Sequence, residues 1–179
     1  KLRLLQKIKE FGAAHGMNVE GSYRWYIELD DRPVAYSLTA AYSDRYQLKT
    51  WWFPFVGTVP YLGFYNVADR EQEIHRLKKQ GFTTHRSQVG AFSALGWYED
   101  PIYSSMLERA PERFIELILH ELTHRSVWLP GEVKSNENLA EFVAGKLTEK
   151  FLQDHSMNTN LQDYKAYRQD KLLYQQWVI

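Results

Sequence analysis

Cysteine is absent from the 179-residue chain. That excludes disulfides, thiolate catalysis, cysteine-ligated zinc ribbons and iron–sulfur clusters, so any metal must rest on His, Asp and Glu. Charge of one sign is lacking as well, because 22 Lys and Arg balance 22 Asp and Glu. With no net field to attract a polyanion, we expect no nucleic-acid partner. No apolar run approaches the ~20 residues needed to cross a bilayer, and no charged-then-apolar leader is seen. We therefore expect a soluble chain with no membrane contact of its own. It begins at Lys1 without an initiator Met and stops at Val178-Ile179 inside an expected helix. We expect a piece of a longer protein, from which a leader or lipid anchor could have been removed.

Aromatic residues, by contrast, are plentiful at 15%, with 6 Trp and 12 Tyr, which suits a tight core or a cleft that grips side chains. The length fits one domain spanning 1–179, able to withdraw roughly 70% of its unfolded surface from water. Apolar spacing predicts helices over 1–15, 67–80, 111–128 and 135–151, and a polar helix over the last 25 residues with Tyr164, Leu172, Leu173 and Trp177 as its apolar stripe. Asn66 is placed to cap the second helix and Gly81 to end it. Residues 22–29 and 33–42 read as two strands joined by a turn at Asp30-Asp31-Arg32-Pro33, and 82–95 reads as an extended pair. The segment 51–57 is strongly apolar but broken by Pro and Gly, so we expect it buried and irregular. Helices in separate runs from strands make an α+β domain with a small, mostly antiparallel sheet.

His120-Glu121-Leu122-Thr123-His124 is a His-Glu-x-x-His string on an expected helix. Imidazoles four residues apart project from one face, so both can reach one Zn²⁺, while Glu121 can accept a proton from water beside it. Chance alone gives such a match about once or twice in a hundred chains of this composition. Context raises its value. Pro130-Gly131 lets the chain reverse, and the next helix opens with Asn136-Glu137-Asn138-Leu139-Ala140-Glu141. Glu137 from that helix completes a His, His, Glu set with a coordination position left open. Glu141 shares its helical face and competes as third ligand. We favour Glu137, with Glu141 as acceptor for a ligand imidazole and Asn136 supporting the site.

A His-Glu-x-x-His helix followed by Asn136-Glu137-x-x-Ala140 resembles the gluzincin metallopeptidases. The wider string resembles one bacterial family of predicted zinc aminopeptidases, once classed as a domain of unknown function. The matching stretches are 52–57 through 61–65, 90–101, 120–124 and 136–143. The resemblance implies a zincin-like domain, zinc on His120, His124 and Glu137, Glu121 as general base and acid, and a peptide or protein substrate. Members often carry Cys on either side of the Phe-Pro-x-x-Gly segment, where this chain has Trp52 and Thr58. They usually extend further and often begin with a lipoprotein leader, which implies a place at the cell envelope.

A peptidase holds its substrate extended, and an edge strand does so through backbone hydrogen bonds. Residues 89–95 are the candidate, since Gly90 and Ala91 permit close approach. The resemblance adds Phe92. A donor for the oxyanion is also needed, and Tyr98, Tyr103, Tyr164 and Tyr167 qualify equally, since nothing in spacing separates them; Tyr98 is counted with the substrate-binding residues. Glu99 and Asp100 suit a substrate ammonium, but a turn before Pro101 also favours Asp, and we place the turn role first. The alternative function is an interaction module stapled by zinc without turnover, although a purely structural site closes with four protein ligands and only three are found.

Overall fold

The computed structural model describes residues 1–30, 32–89 and 100–177. Four helices build the main core: α1 (Leu2–Ala14), α4 (Pro111–Ser126), α5 (Val133–Asp154) and α6 (Asn158–Trp177). Leu5, Ile8 and Phe11 of α1 recur at helical spacing and bury against Phe114, Ile115, Ile118 and Leu122 of α4 and Phe151 of α5. Each fully buried Leu, Ile or Phe contributes roughly 1.5–3 kcal/mol over its exposed state. Pro111 opens α4 at a position where its missing N–H costs nothing.

A second, smaller core lies under a three-stranded antiparallel sheet. β2 (Ala35–Tyr42) runs between β5 (Leu62–Phe64) and β6 (Phe82–Val89). Successive β2 side chains alternate between faces. Leu38 and Ala40 pack on Ile74 and Leu77 of α2 (Val67–Lys79), which leaves Ala35, Ser37 and Thr39 to the other face. Asn66 caps α2 as expected, its side chain accepting from the Ala68 N–H at 2.7 Å.

Three expectations are corrected. Residues 22–29 do not form a hairpin with β2. Only β1 (Tyr26–Ile27) is extended, and it pairs in parallel with β7 (Ile102–Tyr103), just ahead of the short α3 (Ser104–Leu107). The partners come from that distant segment: Tyr23 N–H donates to the Asp100 carbonyl, Ile102 N–H to the Trp25 carbonyl at 2.7 Å, and Leu29 N–H to Ser104 Oγ at 3.1 Å. Secondly, 51–57 is neither buried nor irregular. β3 (Trp51–Phe53) and β4 (Gly57–Val59) form a separate two-stranded ribbon, and with no third layer Trp52 stays 70% and Phe55 72% exposed. Trp52 and Thr58 are direct cross-strand partners. Thirdly, the α6 stripe is confined to its first half. Tyr164 is fully buried, whereas Leu172, Leu173 and Trp177 are exposed. The rest of the expected extended pair, 90–95, lies outside the described residues, and β6 runs unbroken up to it. Among the described residues, no helix is long and apolar enough to cross a membrane.

Candidate metal centre

α4 buries Ile118, Leu119 and Leu122, which turns His120 and His124, one turn apart, towards the open side of the helix pair. α4 ends at Ser126, and α5 begins after six intervening residues. Asn136 fixes this reversal. Its buried side chain accepts from the Leu129 N–H at 2.9 Å and donates to the Leu129 carbonyl at 2.8 Å. The next residue along is Glu137.

His120 Nε2 stands 3.1 Å from His124 Nε2. Glu137 Oε2 lies 3.4 Å from His120 Nε2, and its Oε1 lies 3.4 Å from His124 Nε2. Donors about 2.0–2.1 Å from a tetrahedral ion stand about 3.3–3.4 Å from one another. The three side chains therefore already have the spacing and the N, N, O chemistry that suit zinc. His124 is buried, with its ring edge-on to Trp128 at 5.7 Å, while Glu137 is half exposed. The group is thus closed on one side and open on the other.

Electrostatics follow from this packing. The Glu137 carboxyl is pushed down to about 2, first by its hydrogen bond to His120 and then by that to His124. Burial pulls the His120 imidazole down, but Glu137, Glu121 and Glu116 outweigh it and leave its pKa raised. Protons and a cation thus compete for these nitrogens. Glu121 sits beside the group at 8% exposure. Burial, the largest influence, raises its pKa; His120 and His124 oppose, Glu137 and Asp100 add, and the result is about 6.

All four residues open onto a cavity of ≈ 670 Å³. Its far wall is the free face of β2, with Ala35, Ser37 and Thr39, and its sides are Val56, Tyr61, Tyr65 and Trp128. A smaller hollow of ≈ 440 Å³ against α2, with His75, Arg76 and Lys79, holds none of this chemistry.

The remaining candidates are distributed differently. Glu141 reaches no imidazole; it pairs with Lys171 at 3.1 Å and Arg168 at 3.5 Å, because α6 brings two cations to that turn of α5. The far nitrogen of a ligating His usually has an acceptor, yet His124 Nδ1 is buried with no hydrogen-bond partner among the described residues. Asn136 hydrogen-bonds the Leu129 backbone. Tyr103 is buried in the main core, Tyr164 donates to Glu116 at 2.8 Å, and Tyr167 packs on the Arg113 guanidinium. Asp100 is buried and paired with Arg125 at 3.4 Å. Gly90, Ala91, Phe92, Tyr98 and Glu99 lie outside the described residues. Tyr61 and Trp128 are cleft residues that the motif search missed. Trp128 stands one turn beyond His124, a usable signal; Tyr61 has no spacing relation to the motif.

The model of a family described as putative aminopeptidase covers residues 1–178. Searches of curated proteins and of solved structures find no match.

Proposed function

Because the chain belongs to this putative aminopeptidase family, we propose that it is a zinc-dependent peptidase of the gluzincin type. The observation that carries this is the convergence of His120, His124 and Glu137 within 3.1–3.4 Å, with Glu121 buried beside them on a cleft. His120, His124 and Glu137 would hold the metal. Bound zinc supplies acidification of water and polarisation of a carbonyl.

The chain's own residues do the rest. Glu121, whose pKa of about 6 keeps it ionised at neutral pH yet close enough to be a useful acid, takes a proton from the attacking water. It returns that proton to the departing amine, so one water is added across the C–N bond. The wall of small side chains on β2 leaves room for an extended peptide. The family description carries the exopeptidase part of this proposal.

Glu121→Gln tests it. In a panel of aminoacyl anilides and free and N-acetylated peptides, the variant should bind zinc like the parent and lose hydrolysis by at least about 100-fold. Undiminished hydrolysis would refute the proposal. Equal rates on free and N-acetylated peptides would remove the exopeptidase part.

A further inference from the structure

Tyr61 occupies the two-residue link between β4 and β5 and is held from both ends. On one side, Leu62 pairs with Leu38 of the central strand. On the other, the ribbon is fastened to the α4–α5 reversal, where the Val56 carbonyl accepts from Gly131 N–H at 3.1 Å and from Trp128 Nε1 at 3.3 Å. The mount of Tyr61 is therefore bonded to the same turn that sets Glu137 against the two imidazoles. Such a fixed donor costs no reorganisation during reaction, which is what makes hydrogen bonding to a developing charge effective.

The Tyr61 ring lines the same cavity as His120, Glu121, His124 and Glu137. Among the described residues its hydroxyl has no hydrogen-bond partner, and with the side chain 39% exposed on the cleft it is free to donate to a bound molecule. Two neighbouring donors are engaged: Trp128 Nε1 by Val56 and Ser37 Oγ by Ser87. Burial, then the charges of Glu137 and Glu121, raise the Tyr61 pKa. The group therefore keeps its proton, and a neutral hydroxyl can donate.

We propose that Tyr61 supplies the oxyanion donor of this cleft, its hydroxyl hydrogen-bonding to the carbonyl oxygen of the scissile bond as that oxygen gains charge in the tetrahedral intermediate. No proton is transferred; the hydroxyl donates a hydrogen bond and retains its hydrogen. This rests on the peptidase proposal above and goes beyond it in naming the residue.

Tyr61→Phe removes one oxygen that has no hydrogen-bond partner among the described residues, so fold and zinc affinity should be unchanged, the latter within about twofold. In the zinc-loaded chain, kcat on an aminoacyl anilide should fall by about 10²–10³-fold with little change in KM. A phosphonate dipeptide, which presents a tetrahedral anion, should bind at least about 10-fold more weakly to the variant, while the amino-acid product binds both equally. Tyr46→Phe, far out in solvent, should match the parent in every measurement. If Tyr61→Phe keeps kcat and phosphonate affinity within about twofold of the parent, the assignment is wrong. A parent that binds the phosphonate but hydrolyses nothing overturns the peptidase proposal alone, and the binding comparison still decides Tyr61. A parent that does neither overturns both.

Discussion

Replacing Asn136 with Ala should loosen the junction that presents Glu137 to the two imidazoles. The side chain is 1% exposed and makes two hydrogen bonds to one residue, at 2.9 Å from the Leu129 N–H and 2.8 Å to its carbonyl. Each intramolecular hydrogen bond is worth about 0.5–1.5 kcal/mol net, and stranding its partner costs about 1–3 kcal/mol. Leu129 is itself 47% exposed, so water can reach part of what is abandoned. The total should fall near 2–3 kcal/mol, in the lower part of the combined range. For a chain of this size, that lowers Tm by about 5–10 °C. Urea denaturation of the metal-free protein measures the loss without interference from bound ions. Zinc affinity should then weaken about 10-fold or more, because the Glu137 carboxylate is no longer held in register. A loss of stability below about 0.5 kcal/mol, or zinc affinity equal to that of the parent, would show that Asn136 does not organise the reversal.

Gly57→Ala and Gly16→Ala form a matched pair. Both residues have positive φ, +84° and +82°, so both substitutions should cost about 1 kcal/mol or more from backbone strain. Only at Gly57 would the new Cβ stand 2.3 Å from Gly131 N, in the close approach of ribbon to reversal, whereas nothing lies within 4 Å at Gly16. Gly57→Ala should therefore lower the denaturation midpoint clearly more, and equal losses would refute the contact. Glu71 supplies a pH test. Its carboxyl is pushed down to about 2, chiefly by a hydrogen bond from Arg86 across to β6. A folded-state pKa below the ordinary 4.5 adds stability above pH 4.5, lost as pH falls towards 2. The Tm difference between the parent and Arg86→Ala should be present at pH 6 and shrink below pH 4.5; a constant difference would contradict it.

What the sequence made legible was local. His120 and His124 share one helix face, and Glu137 follows within a single reversal marked by Pro130-Gly131, so spacing and punctuation suffice to bring the three together. Asn66, Gly81 and Pro111 marked helix ends for the same reason. Contacts made over longer range were not legible. The strand expected at 22–29 takes its partners from 100–104, about 75 residues away, and alternation within the segment contains no trace of them. Tyr61 reaches the cleft through pairing of β5 with β2 and through the ribbon's bond to the reversal, neither of which has a periodic signature. Glu141 shares a helical face with Glu137, and a helix projection cannot separate them. The cations of Arg168 and Lys171 do so, and α6 supplies both. The aromatic segment at 51–57 was expected inside on hydropathy alone, yet a two-stranded ribbon has too few layers to cover Trp52 and Phe55.

The most direct measurement is zinc stoichiometry and affinity, by competition with a chelator, for the parent, Glu137→Ala and Glu141→Ala. One zinc per parent chain is expected. Supporting residues around such sites are worth about 10–100-fold in affinity, so loss of the Glu137 ligand should exceed about 100-fold, while Glu141→Ala, which among the described residues breaks the pairs with Arg168 and Lys171, should bind like the parent. A Glu137→Ala chain that holds zinc as tightly as the parent would contradict the metal centre, and the peptidase proposal would fall with it.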